Sequence, residues 1–352
     1  MSAATLDPTP APAPVPDGPQ RARHGGVSAL PPRARAVVIA LGLVALQALV
    51  VLLFAWPNAR LAPRDLPLVV TGPPAAVASV EDALAGGSID LSVVADEEAA
   101  RAAVLDREAY GALVLDPAGT TVLTAAGASA AVAQQLQQLA AAAVERPGET
   151  PASTGVAVVD VAPGAPDDPR GAALAASLLP LVLTGMVCGL LLTLLVPGTA
   201  ARAIGIVVFA LAGGLVSTAV VQGFLGALTG SYWSNAGVVA LTLLAIAATV
   251  AGLGTVLGRA GLALGAATMF LLGNPLSGIA SAPELLPQPW GALGQLLPPG
   301  AGGTLLRNVA FFDGAAVATP LLVLGAWATV GLALLAAGSL RPGGRAHAPA
   351  PA

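Results

Sequence analysis

The chain of 352 residues contains no lysine, one cysteine, two histidines and only 3% aromatic residues. Each shortage excludes a chemistry. Without lysine there is no Gly-x-x-x-x-Gly-Lys-Ser/Thr loop, so the chain itself does not cradle nucleotide phosphates in that way. His24 and His347 both lie in the terminal tails, which leaves the folded parts without a histidine-based catalytic or metal centre. Cys188 stands alone inside an apolar run and forms neither an intramolecular disulfide nor a zinc cluster. Charged residues make up only 10%, and acids such as Glu97, Glu98 and Asp106 read as a solvated helix face rather than a catalytic pair. The expectation is a protein that is not an enzyme, with no cofactor, metal or nucleic-acid partner.

What fills the chain instead is apolar. Hydrophobic residues reach 56% and the mean hydropathy is +0.81, outside the range of soluble domains. Runs without Asp, Glu, Lys or Arg occupy about Ala36–Trp56, Gly171–Val196, Ala203–Leu228, Ala236–Leu257, Gly261–Gly273 and Val317–Leu340. A helix crossing the hydrocarbon core needs about 20 residues. The fifth run reaches that length only by continuing through Asn274-Pro275 to about Ala280. The fold class expected is a polytopic α-helical membrane protein with six transmembrane helices and an extracytoplasmic α/β domain between the first and second.

Arginine placement orients the chain. If six spans alternate, Arg21, Arg23, Arg33, Arg35, Arg202, Arg259, Arg341 and Arg345 share a side with only Asp7 and Asp17. Positive residues in short loops stay cytoplasmic, so both termini are expected inside and the lipid bilayer is an expected partner. The first run is too long for a cleaved signal peptide, and Ala55-Trp56-Pro57-Asn58 lacks a small-residue cleavage pattern. Trp56 suits the outer aromatic belt. Residues 1–35 and 341–352 read as disordered cytoplasmic tails, rich in Pro and Ala without apolar periodicity.

Residues 57–170 hold the sizeable soluble unit. Leu66–Thr71, Ile89–Val94, Tyr110–Leu115, Thr120–Thr124 and Val156–Val161 read as strands. Ala75–Leu84, Asp96–Glu108 and Ala128–Glu145 read as helices, with Asp96 at an N-cap position ahead of Glu97 and Glu98. The order is βαβαββαβ, about 100 residues, enough for one core.

Residues 171–340 form a five-helix membrane domain with a break at 274–316. Proline removes a backbone donor and clashes with the preceding turn, so a helix reaching Asn274-Pro275 must kink or stop. Backbone groups freed at membrane depth must be buried in protein or line a wet cavity. A hairpin of short helices in the outer leaflet meets that demand; a Pro/Gly-rich external loop is the plainer reading. Gly185/Gly189, Gly254/Gly258 and Gly261/Gly265 are spaced for close helix approach, within the chain or with a second copy. Gln47, Thr184, Cys188, Ser217, Thr218 and Gln222 are the polar groups inside the runs. They either bond across helices or, for Gln47, Thr184 and Gln222 together with Asn274, face a translocation path.

This layout resembles the membrane subunits of type-2 ABC exporters, within them the phage-infection-protein-like permeases. The residues that carry the resemblance span about Ala36 to Leu340. They are Gly273-Asn274-Pro275-Leu276-Ser277-Gly278, Leu297-Pro298-Pro299-Gly300-Ala301, Phe311-Phe312-Asp313-Gly314 leading to Pro320-Leu321-Leu322-Val323-Leu324, and the external segments starting at Asp96 and Tyr110. The resemblance implies a bacterial cell-membrane permease that pairs with a second permease copy and a separate ATP-binding subunit. It also implies outward movement of a hydrophobic or lipid-like substrate. Arg202 and Arg259 are then the candidates for contact with the ATPase. The sequence departs from the family in showing no amphipathic helix before Ala36 and only the short Pro197–Arg202 segment as a coupling loop. A membrane scaffold or surface receptor, whose external domain binds an envelope or secretion partner, is the alternative.

Overall fold

The computed structural model describes residues 31–84, 88–117, 119–144 and 155–338. Both expected tails lie mostly outside this range, as does Glu145 at the end of the third soluble helix. Helix α1 runs Pro32–Ala59, beginning four residues inside the expected amino-terminal tail. Proline is favoured at the first helical position, where its missing N–H is not needed, and Arg33 and Arg35 continue the helix.

A five-stranded sheet follows, in the order β2-β1-β3-β4-β5. Its elements are β1 (Leu66–Thr71), α2 (Pro74–Leu84), β2 (Ile89–Val93), α3 (Glu97–Leu105), β3 (Gly111–Asp116), β4 (Gly119–Thr124), α4 (Ala130–Val144) and β5 (Val156–Asp160). β1 pairs parallel with β2 and β3, β3 and β4 form an antiparallel hairpin, and β4 pairs parallel with β5. β1 sits between two neighbours and is buried along almost its whole length, as a continuous apolar run should be. Asp96 caps α3, its Oδ1 accepting the Ala99 N–H at 2.8 Å, while Glu97 and Glu98 occupy the first turn.

The helices after the sheet are α5 (Ala172–Leu195), α6 (Thr199–Thr218), α7 (Tyr232–Leu257), α8 (Arg259–Ala266), α9 (Trp290–Gln295), α10 (Pro298–Phe311) and α11 (Ala318–Ala337). π-helical turns extend α6 over Ala219–Phe224 and α8 over Ala267–Gly273. Among the described residues, five helices are long and apolar enough to cross a membrane: α1, α5, α6 with its π turn, α7 and α11. Large apolar side chains point outward from several of them, including Leu195, Val208 and Leu322 at 72%, 59% and 73% exposure. Helices of this length, charged only by arginines near their ends and with bare apolar faces, belong in lipid. The chain is a polytopic helical membrane protein. The apolar helix Arg259–Gly273 is shorter and stops at Gly273, so it does not continue through Asn274-Pro275 to Ala280.

α7 is the hub of the bundle, with 78% of its most apolar window buried. The glycine pairs explain how its neighbours come so close. Gly185 and Gly189 on α5 face Ile246, Ala247 and Val250; a Cβ on Gly189 would stand 2.6 Å from the Ala247 carbonyl oxygen. On the other side Gly331 of α11 packs against the Ala248–Thr249 backbone. Gly261 and Gly265 of α8 press on Leu253 and Val250 of α7. These contacts all lie within the chain. Gly258 differs: its φ of +64° makes the turn from α7 into α8.

The segment expected at the outer interface is more internal than its composition implies. α10 buries most of its residues from Pro298 to Asn308, and Gly302 lies directly against Thr242 of α7. Its glycines let it enter the bundle where larger residues would hold it on the surface. The loop ahead of it serves the sheet: Ala282 and Leu285, with Phe312, belong to the same apolar cluster as Leu68, Val104, Leu123 and Val132.

Candidate functional site

Seven hydrogen bonds fasten this hairpin to the segment that carries the sheet, one of them between Arg107 and Asn308 in the wall of a cavity. The Ala62 and Arg64 N–H groups donate to the carbonyls of Leu285 and Glu284 at 3.1 and 3.0 Å. The Arg64 guanidinium donates to the Leu285 carbonyl at 2.8 Å. Ser129 Oγ donates to the Ser281 carbonyl, Tyr110 Oη donates to Glu284 Oε2 at 2.7 Å, and Arg307 Nη1 donates to the Ala128 carbonyl at 3.2 Å. Near the end of α1 Trp56 meets Trp290 edge-on, with ring centroids 6.5 Å apart.

Between the hairpin, the sheet and the start of α11 lies a cavity of about 490 Å³. Its walls carry Arg107, Tyr110, Glu284, Gln295, Arg307 and Asn308. Arg107 follows α3 with φ +66°, a left-handed conformation rare for a side chain of this size, which directs it into the wall. Its Nε donates to Asn308 Oδ1 at 3.0 Å, and its guanidinium lies 5.3 Å from the Tyr110 ring centroid and 4.9 Å from that of Phe312. Arrangements of this kind are cation–π contacts. Asn308, 1% exposed, also donates from Nδ2 to the Ala316 carbonyl at 3.1 Å. Gln295 is held in turn, receiving Thr304 Oγ1 at 2.7 Å and donating to the Ser277 carbonyl at 2.9 Å.

Arg307 is buried, 8% exposed, and its Nη2 donates to the Ile279 carbonyl at 2.6 Å. Burial first, then the like charge of Arg107, pushes its pKa down to about 10, so it stays cationic at neutral pH. Tyr110 is shifted upward, by burial first and then by the Glu284 carboxylate. Asp168 lies near Arg307, but both its oxygens accept backbone N–H groups at the start of α5, Ala172 at 2.8 Å and Leu174 at 2.9 Å. The cavity wall thus carries a hydrogen-bonded polar cluster with a net positive charge.

The residues singled out from the sequence lie elsewhere. Gln47 is exposed on α1. Thr184 is exposed and satisfies itself on α5, donating to the Pro180 carbonyl at 2.8 Å, beside an apolar groove between α5 and α6 that also includes Cys188, Leu192 and Phe209. Gln222 lies in the π turn after α6, donating to the Gly230 carbonyl and accepting from Asn235 Nδ2, both at 3.0 Å. Asn274 is half-buried just past the π turn after α8, and its carbonyl accepts Ser277 Oγ at 2.8 Å. None of these four is among the residues lining the 490 Å³ cavity. Arg202 is turned inward, donating from Nε to the Val196 carbonyl at 2.8 Å and from Nη1 to Thr255 Oγ1 at 3.2 Å. Arg259 is exposed at the first position of α8.

Sequence reasoning did not assemble Arg107, Tyr110, Glu284 and Asn308 around Arg307. One signal was available. Arg307 is the sole charged residue between Glu284 and Asp313, in a segment dense with Gly, Pro and Leu, and such a charge needs a polar surround. Comparison of the chain with protein-family models, with curated proteins and with solved structures finds no match.

Proposed function

We propose that the chain is the membrane-spanning permease subunit of an ABC-type exporter, moving a hydrophobic or lipid-like substrate outward with energy from a separate ATPase. One observation carries this reading: the helix-breaking hairpin α9–α10 enters the bundle and walls a cationic cavity together with the sheet. Broken helices that line a cavity beside apolar spans are the usual setting for substrate passage through a membrane. In this topology α8 with its π turn makes a short sixth crossing, both termini are cytoplasmic, and the sheet lies outside. The arginine distribution supports that orientation. A second permease copy completes the transporter.

The scaffold or receptor reading is favoured by a different observation. Only Val196–Gly198 separates α5 from α6, and Arg202 is engaged inside the protein, which leaves Arg259 as the exposed one of the two candidate ATPase contacts.

Purification from native membranes in mild detergent, followed by mass spectrometry and by ATP-driven lipid efflux in proteoliposomes, separates the two. Export predicts co-purification of a Walker-loop ATPase and efflux that stops with Arg259→Glu. Repeated recovery of no ATPase, with an envelope protein bound in its place, would overturn it.

A further inference from the structure

We propose that the cavity around Arg307 is a binding site for an anionic phosphate-type group, with Arg307 and Arg107 as its counter-charges. The site stands on the cavity alone and does not depend on whether the chain transports what it binds.

Arg307 presents five N–H donors, and its two hydrogen bonds go to neutral carbonyls, those of Ala128 and Ile279. Among the described residues no Asp or Glu oxygen lies within 4.0 Å of an Arg307 nitrogen. Arg307 is therefore a buried cation without a carboxylate in contact, a costly arrangement unless something anionic completes it. The acids nearby make their hydrogen bonds to other groups. Asp168 caps α5 with both oxygens, and Glu284 takes the Tyr110 proton donor on Oε2. With Arg107 added, the charged lining residues leave one positive charge in excess.

The chemistry of the remaining wall narrows the ligand. A guanidinium offers planar paired donors that match phosphate or carboxylate oxygens two at a time. Arg107 is fixed by Asn308 and by the Tyr110 and Phe312 rings, so its charge is presented without a large ordering cost. Gln288 and Thr319 add neutral hydrogen-bonding groups on the lining. A volume of about 490 Å³ exceeds a bare phosphate and lies within the range of small-molecule sites, roughly 300–1,000 Å³. Two sources share this chemistry, a phospholipid headgroup and free inorganic phosphate.

The test uses the full chain in detergent micelles and isothermal titration with three probes: dihexanoyl phosphatidic acid, dihexanoyl phosphatidylcholine and inorganic phosphate. Phosphatidic acid should bind about tenfold more tightly than phosphatidylcholine, a difference of one decade in Kd. Arg307→Gln should bring the two together. Because Arg307 also holds two carbonyls, that variant can fail to fold, so two charge variants at less buried positions carry the result independently. Gln288→Glu, at an exposed wall position, should weaken phosphatidic acid by about tenfold, and Glu284→Gln should strengthen it. Inorganic phosphate binding with the same charge dependence assigns the site to a free anion; binding that requires the acyl chains assigns it to a lipid. Equal affinity for phosphatidic acid and phosphatidylcholine in the unaltered chain would overturn the proposal. So would indifference of phosphatidic acid to both Gln288→Glu and Glu284→Gln in variants that elute as monodisperse protein.

Discussion

The Tyr110 hydroxyl donates a 2.7 Å hydrogen bond to Glu284 Oε2, joining residues 174 positions apart. One stands at the threshold of β3, in the segment between α1 and α5, and the other in the loop that leads into α9. This bond, with Arg64 on the Leu285 carbonyl and Ser129 on the Ser281 carbonyl, fixes where the hairpin lies against the sheet. Three measurements probe the architecture around it.

Tyr110→Phe removes the donor and leaves the carboxylate with one partner fewer. A hydrogen bond to a charged group contributes about 1.5–3 kcal/mol, so a fall in thermal stability of that order is expected from differential scanning fluorimetry. The pH dependence has a definite sign. The folded protein raises the Tyr110 pKa above its ordinary 10.0, so the contribution is complete below pH 10.0 and is lost as pH climbs above it. The unaltered chain should hold its stability from neutral pH to about pH 9 and lose part of it beyond pH 10.0, with Tyr110→Phe showing the shallower alkaline decline. Identical alkaline profiles for the two proteins would remove the argument.

Two glycines distinguish packing from propensity. Gly189 faces the Ala247 carbonyl so closely that a methyl group there forces α5 away from α7, whereas Gly237, exposed on α7, has nothing within 4 Å of its added carbon. Gly189→Ala should lower the melting temperature. Gly237→Ala should raise stability by up to about 1 kcal/mol, the helix propensity gain of alanine over glycine. The same sign for both in thermal melts of the purified protein would mean that close packing around α7 is not what the glycines provide.

Topology is tested with single cysteines in a Cys188→Ala background. Ala100 is fully buried, so Glu98, exposed on α3, is the better outer probe and Arg259 the inner one. An impermeant maleimide added to intact cells should label Glu98→Cys and spare Arg259→Cys until the membrane is opened. The reverse pattern would place the sheet in the cytoplasm.

Much of the local structure is legible in the residues. β-branched runs bounded by Gly and Pro locate the strands, so the expected Leu66–Thr71 is β1 over the same residues. Asp96 followed by two glutamates marks the start of α3 because a carboxylate there accepts an orphan amide. The stop at Gly273 follows from Asn274-Pro275. The two π turns were not legible, since slipping a helix by one hydrogen bond requires no particular residue type. Nor was the cavity. Its closures, Arg107 with Asn308 and Tyr110 with Glu284, span 201 and 174 positions, and no periodicity records such a meeting. The glycine spacing announced close approach without naming the partner, which proved to be α7.

The apolar cluster beneath the sheet has a consequence for how the polypeptide can be divided. Leu285 and Phe312 fill the same interior as Val104 and Leu123, although nearly two hundred positions separate them. A construction cut after Asp168 would take the strands and leave behind the plugs that complete their hydrophobic centre, so the fragment would present that gap to water and self-associate. During synthesis the strands wait, incompletely filled, until the last third of the chain emerges. The watery and the oily halves of this protein therefore mature together, and a substitution at Leu285 is a defect of both.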